Sequence, residues 1–159
     1  MMRIDLLCVG KLKEAYWRNA CAEYEKRLHR LCRFSILEIP ESRLPERPSE
    51  TQIRQALSAE GAKLLAAAGN SRILALCIEG KEFSSVQLSE QIERFGVQGS
   101  GRLSFVIGSS FGLGEAVKEK ADLCLSMSRM TFPHQLARVM LCEQIYRAFE
   151  ILHHGKYHK

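Results

Sequence analysis

Short apolar runs alternate with longer amphipathic ones along this chain, and the alternation predicts its elements. Ile4 to Val9 is a strand ending at Gly10. From about Lys13 to Leu31, Trp17, Ala20, Cys21, Tyr24, Leu28 and Leu31 recur at helical spacing. Arg18, Glu23, Lys26, Arg27 and Arg30 stand between them and read as a solvated face rather than a binding patch. Phe34 to Ile39 is a second strand, stopped by Pro40. Ser49-Glu50-Thr51-Gln52 reads as a capping box opening a helix that uses Ile53, Ala56, Leu57, Leu64 and Leu65 and closes at Gly69-Asn70.

The second half repeats the theme. Arg72 to Ile78 is apolar almost throughout, as a strand covered on both faces should be. Ser84-Ser85-Val86-Gln87 opens another helix, carried by Leu88, Ile92 and Phe95 and stopped at Gly96. Leu103 to Ile107 is a fourth strand, Leu113 to Ala121 a short helix, and Leu123 to Met127 a fifth strand. Pro133 to Leu152 is a long last helix. Strands alternating with helices throughout predict an α/β fold with a parallel sheet flanked by helices, in one domain spanning 1–159.

Composition narrows the class. The 159 residues are enough for one domain with a proper core, and the apolar (46%) and charged (26%) fractions are those of an ordinary globular protein. A net charge of +5 is compatible with a polyanionic partner without requiring one. The six cysteines form no C-x-x-C pair and no histidine cluster at zinc spacing, so no metal is expected. Cys8, Cys77 and Cys124 lie in strand-like runs, where cysteine behaves as a small buried hydrophobe. The apolar run at the N-terminus is too short for a signal peptide, and no run reaches membrane-spanning length. The expectation is a cytoplasmic protein with reduced thiols.

Chemistry concentrates after residue 103. Gly108-Ser109-Ser110-Phe111-Gly112-Leu113-Gly114 follows the fourth strand, where a glycine lets backbone approach a ligand closely. It is not a P-loop, since no Gly-Lys-Ser/Thr follows. Gly112-Leu113-Gly114 begins a partial dinucleotide pattern, but no acid between Asp122 and Glu143 stands where one would hold a ribose. A tight turn with no ligand is the alternative. The segment 40–48, Pro-Glu-Ser-Arg-Leu-Pro-Glu-Arg-Pro, reads as a loop able to touch a large partner. The last helix is apolar on more than one side, which suits contact with a second subunit as well as the sheet. Arg147 has Glu143 and Glu150 at ion-pair spacing, so it is either a helix-surface pair or a substrate-facing group. Four of the five histidines, His134, His153, His154 and His158, fall near the end beside basic residues; they are either a basic tail or proton-moving groups packed at a pocket.

Gly10-Lys11-Leu12-Lys13-Glu14, Phe105-Val106-Ile107-Gly108, Thr131-Phe132-Pro133-His134-Gln135, Tyr146-Arg147-Ala148 and Tyr157-His158-Lys159 together resemble the RlmH family of SPOUT-class methyltransferases over essentially the whole chain. The resemblance implies a single α/β domain with a C-terminal trefoil knot over roughly 72–159. It implies a homodimer using S-adenosyl-L-methionine to methylate N3 of a pseudouridine in large-subunit (23S) ribosomal RNA, on the assembled ribosome. By position it assigns donor binding to Leu76, Gly108, Met127, Ser128, Arg129, Met130, Thr131 and Phe132. His158 is expected as base or proton relay, Arg147 as holder of an anionic ring or phosphate, and Tyr157 as a positioning group. One departure stands out: where the family has two glycines after the fourth strand, this chain has Gly108-Ser109, so a side chain at 109 is expected to narrow the donor cleft or change the backbone angle. Two other readings stay open, a nucleotide-binding α/β enzyme of another type and a noncatalytic ribosome-binding protein that kept the fold.

Overall fold

The computed structural model describes residues 1–159. Ten elements follow in the order β1 (Arg3–Val9), α1 (Ala15–Leu28), β2 (Arg33–Ile39), α2 (Glu50–Ala68), β3 (Arg72–Glu82), α3 (Ser85–Gln98), β4 (Arg102–Ile107), α4 (Glu115–Lys120), β5 (Leu123–Ser126) and α5 (His134–Leu152). The strands form one sheet in the order β2-β1-β4-β3-β5, with every pairing parallel. The predicted capping box at Ser49 is present, and the helix start predicted at Ser84 proves to be a second one: Ser49 and Ser84 each accept from the backbone N–H three residues on, and Gln52 and Gln87 reach back.

Successive strand residues point to opposite faces, and the two faces have separate cores. Ile4, Leu6 and Cys8 of β1, with Leu103, Phe105 and Ile107 of β4, pack against Cys21 and Leu28 of α1, Leu88, Ile92 and Phe95 of α3, and Leu141 and Ile145 of α5. Leu7, Val9, Ile73, Ala75 and Val106 turn the other way, onto Leu64 and Ala68 of α2 and Val117 of α4. The central strands are thus covered on both sides, which is why they read as continuous apolar runs.

One charge interrupts them. Asp5 is fully buried in β1 and accepts from Ser35 Oγ at 2.6 Å, Arg102 Nε at 2.9 Å and Arg3 Nε at 3.1 Å. Arg102 also donates to the Ala67 carbonyl at 3.1 Å, satisfying a carbonyl in the last turn of α2. Burial works against the ionised form, but the bonds from Ser35, Arg102 and Arg3 prevail and hold the Asp5 carboxyl below its ordinary value. A second acid fastens the edge strand. Asp122 accepts from the Ile73 N–H and from Arg72, and its own N–H returns to the Ile73 carbonyl.

Two expectations are corrected. The third helix does not stop at Gly96; it continues to Gln98 and ends where the Gly99 N–H meets the Phe95 carbonyl. A side chain at 96 would run into Met2, so this glycine makes room for packing rather than ending a helix. The third strand runs to Glu82 rather than Ile78, because its register breaks between Leu76 and Lys81, both of which pair with Leu125. The intervening residues bulge outward, as an irregularity in a ladder permits. The segment 40–48 has no regular structure but is anchored near its start, where the Ser42 N–H donates to Glu60 Oε2 at 2.8 Å.

Asp5→Asn is expected to lower stability by about 1–3 kcal/mol, the scale of a buried hydrogen bond to a charged group. Because the native carboxyl pKa is depressed, the contribution is present above the ordinary value of 3.8 and is lost as pH falls through the native one. Urea melts from neutral to acidic pH should show the wild-type advantage over Asp5→Asn shrinking in that window.

Candidate active site

Three neighbouring strands, β4, β3 and β5, end on the same edge of the sheet, and the loops that leave them enclose a cavity of about 600 Å³. That is within the range of small-molecule sites, which favour the carboxyl ends of parallel strands. Leu76 to Glu79 line it from β3, Ile107 to Leu113 from the loop after β4, and Met127, Ser128 and Met130 to His134 from the loop after β5. Ala137 adds the first turn of α5, and Lys118 reaches in from α4.

Glycine makes this convergence possible at two points. A Cβ on Gly80 would lie 2.6 Å from the Cys124 carbonyl oxygen, so β3 can cross β5 this closely only without a side chain. A Cβ on Gly108 would overlap the Gly112 carbonyl. Gly112 itself has φ +84, the left-handed conformation that glycine adopts freely, and its N–H donates to the Ser109 carbonyl at 2.8 Å. Ser109 is buried inside this turn and its φ is not positive, so its backbone angle is one that a residue with a side chain adopts freely. The residue does line the cavity.

The loop after β5 is shaped by its own serines: Ser126 Oγ donates to the Ser128 carbonyl at 3.0 Å, and Ser128 Oγ accepts from the Met130 N–H at 3.1 Å. Below it, Arg138 ties α5 to the ends of β1 and β2, donating to Glu38 Oε2 at 2.8 Å and to the Gly10 carbonyl at 3.1 Å. Burial lowers the His134 pKa against the pull of Glu41, so the imidazole at the cavity wall favours its neutral form.

Of the residues assigned to a donor, Leu76, Gly108, Met127, Ser128, Met130, Thr131 and Phe132 all line the cavity. Arg129 does not; its side chain is 92% exposed, with Nε 3.8 Å from Glu82. Sequence reasoning missed Glu79 and Lys118, which only the bulge in β3 and the placement of α4 bring together.

Arg147, Tyr157 and His158 assemble elsewhere. Glu143 Oε1 accepts from Arg147 Nη2 at 2.6 Å and from the Tyr157 hydroxyl at 3.1 Å. The Arg147 guanidinium lies 4.7 Å from the centre of the Tyr157 ring, and its Nη1 is 3.4 Å from His158 Nδ1. Tyr157 also packs edge-on against Tyr146 at 4.8 Å. Arginine therefore makes the expected pair with Glu143 and also organises the chain end. Burial and the bond to Glu143 push the Tyr157 pKa up to about 12, so the phenol keeps its proton at neutral pH and serves as a hydrogen-bond donor. None of the three lines the cavity. Arg147 follows His134 on the same helix by thirteen residues, about 20 Å along the axis.

A family model described as "Predicted SPOUT methyltransferase" matches residues 2–158. The ribosomal RNA large subunit methyltransferase H of Bifidobacterium animalis subsp. lactis is 46% identical over 159 residues, covering 99% of this chain and all of that protein. The ribosomal RNA large subunit methyltransferase H 1 of Clostridium perfringens is 45% identical over the same coverage. Among solved structures, a probable methyltransferase from Bordetella pertussis Tohama I aligns with a TM-score of 0.59 at 13% identity, over 93% of this chain and 96% of that one. A probable methylase family protein from Haemophilus influenzae Rd KW20 aligns at 0.53 and 16% identity, over 99% of this chain and 70% of that one. The two solved structures share the fold.

Gly108→Ala is expected to destabilise the protein by about 2 kcal/mol or more, because backbone rather than a flexible side chain must move. Ser109→Gly should cost less, about 1 kcal/mol, since it gives up only the long 3.4 Å hydrogen bond from the Phe111 N–H to Ser109 Oγ and loosens the unfolded chain. Chemical denaturation of the two variants beside the wild type checks the order.

Proposed function

This chain belongs to the SPOUT methyltransferase family, with the ribosomal RNA large subunit methyltransferases H as its relatives, and from that premise we propose that it transfers a methyl group from S-adenosyl-L-methionine to N3 of a pseudouridine in large-subunit ribosomal RNA. The observation that carries the reading is the cavity itself, because seven of the eight residues assigned to the donor line it. Its glycine-floored, largely apolar walls suit a nucleoside held by backbone groups. Leu76, Gly108 and the 127–132 segment would hold the donor, whose methyl on a sulfonium already carries its leaving group.

The protein then aligns the acceptor nitrogen and manages its proton. N3 of the ring is protonated near neutrality, so a group must take the proton or stabilise the anion left behind. His158, exposed and beside Arg147, is the proton acceptor or relay in this reading. Arg147, fixed by Glu143, supplies positive charge for the ring or a phosphate, and Tyr157 positions the pair as a neutral donor.

The distance along α5 supports a homodimer. Arg147, Tyr157 and His158 sit too far from the cavity of their own chain to act on a ligand there, so a second copy would bring its cluster to the first copy's donor. The half-buried residues Leu136, Val139 and Met140 on α5 suit such a contact. The whole chain, 1–159, acts as one domain, with the trefoil knot over roughly 72–159. A basic chain would read the shape of an assembled ribosomal particle in the cytoplasm, and its binding should weaken as salt rises. No helix is long and apolar enough to cross a membrane.

The test is transfer of labelled methyl to intact ribosomes from cells lacking this protein, with free ribosomal RNA alongside. Label should appear on one pseudouridine, at N3, in ribosomes and not in free RNA. His158→Ala should lower the rate by about 100-fold or more, the scale of a lost general base, while leaving donor affinity unchanged. Donor binding without transfer by the wild-type dimer would favour the noncatalytic ribosome-binding reading.

A further inference from the structure

Beyond the residues assigned to the donor, the cavity wall carries two charged side chains, Glu79 and Lys118. They reach it from separate elements. Glu79 belongs to the part of β3 that bulges out between Leu76 and Lys81, and Lys118 to α4. Lys118 Nζ lies 2.7 Å from Glu79 Oε1 and 3.9 Å from Glu115 Oε1, so Glu79 is its main partner. Each favours the other's charged form: the Lys118 ammonium holds the Glu79 carboxyl below its ordinary value, and Glu79 raises the lysine.

A nucleoside in a cavity of this kind presents a pair of neighbouring ribose hydroxyls, and dinucleotide sites commonly meet them with an acid placed downstream of the glycine turn. No acid follows at that spacing here. The fold supplies one from another strand, because Glu79 is the only carboxylate lining the cavity. We propose that Glu79 accepts hydrogen bonds from the ribose hydroxyls of the bound donor, and that Lys118 is the positioning residue that holds this carboxylate in place. The proposal rests on the donor reading above.

Lone-pair count and charge select hydroxyls over a cation as the ligand group. A carboxylate offers about four acceptor sites and the bridge to Lys118 uses one, leaving sites for two O–H donors. A ligand ammonium approaching the same carboxylate would face the Lys118 ammonium already 2.7 Å from it, and like charges repel. Neutral hydroxyls meet no such penalty. The Glu79 side chain is 63% exposed and that of Lys118 27%, so the carboxylate is accessible while its holder is partly fixed by packing.

Calorimetric titration with S-adenosylhomocysteine and its 2′-deoxy and 3′-deoxy analogues tests this. The wild type should bind each deoxy analogue about tenfold more weakly than the parent, the low end for a hydrogen bond to a charged acceptor. Glu79→Gln should weaken the parent by a similar factor and bind parent and analogues almost alike. Lys118→Met should reduce the hydroxyl preference in part, and Lys118→Arg should restore it. 5′-Methylthioadenosine, which lacks the amino-acid moiety, should show the same dependence on Glu79. A hydroxyl preference undiminished in Glu79→Gln overturns the proposal. So does a Glu79 effect that disappears with 5′-methylthioadenosine, since the carboxylate would then serve the amino-acid end. No binding of S-adenosylhomocysteine by the wild-type protein would overturn the donor reading itself.

Discussion

Backbone must pass against backbone at the carboxyl edge of this sheet, and the cavity depends on that. β3 can lie over β5 only because residue 80 has no side chain to meet the Cys124 carbonyl, and the turn after β4 can close only because Gly108 leaves space for Gly112. Add a methyl group at either position and the loops have to separate. The bulge in β3 follows from the same crowding: the strand pairs with Leu125 twice and sheds the residues between, which carries Glu79 to the cavity wall. Steric permission at two glycines thus sets the shape of the site before any polar group acts.

Polar groups then fix what the glycines allow. Asp5, Asp122 and Arg138 are each tied to at least two elements, joining β1 to β2, β4 and α2, β5 to β3, and α5 to the ends of β1 and β2. Such groups are costly to bury without partners and therefore specify register once the partners are present. Arg138 has the most consequence for function, since it sets where α5 begins at the cavity. The same helix carries Glu143 and Arg147 far from that end. One rigid element therefore separates the cavity from the cluster at the chain terminus, and in the function proposed above a second copy would bring the two together.

Much of this was legible in the sequence where local chemistry decides the outcome. Apolar periodicity gave all five strands, and Ser49 and Ser84 marked two helix starts to the residue, because capping is a contact within four positions. What failed depended on distant partners. Gly96 looked like a stop, yet it lies under Met2, ninety-four residues earlier. Arg129 sits among residues that all line the cavity but turns outward toward Glu82. At 108–112 the left-handed angle falls on Gly112 and not on Ser109, a division that depends on how the turn closes. Glu79 had no sequence signal, since its place at the cavity depends on the register of β3 against β5 and its ion pair on a lysine from α4. Seven of the eight residues that the resemblance assigns to a donor do line one cavity, whereas Arg147, Tyr157 and His158 gather away from it.

That division of labour between two copies is the central claim, and subunit mixing tests it most directly. One variant would carry His158→Ala; the other would carry Ser110→Trp, a bulky side chain at an exposed residue of the cavity rim. Each homodimer should be nearly inactive in methyl transfer. Allowed to exchange subunits in equal amounts, the pair should recover about a quarter of wild-type activity, because half the dimers are mixed and each mixed dimer has one complete composite site. No recovery after demonstrated exchange would mean that cavity and terminal cluster act within one chain, and would contradict the account.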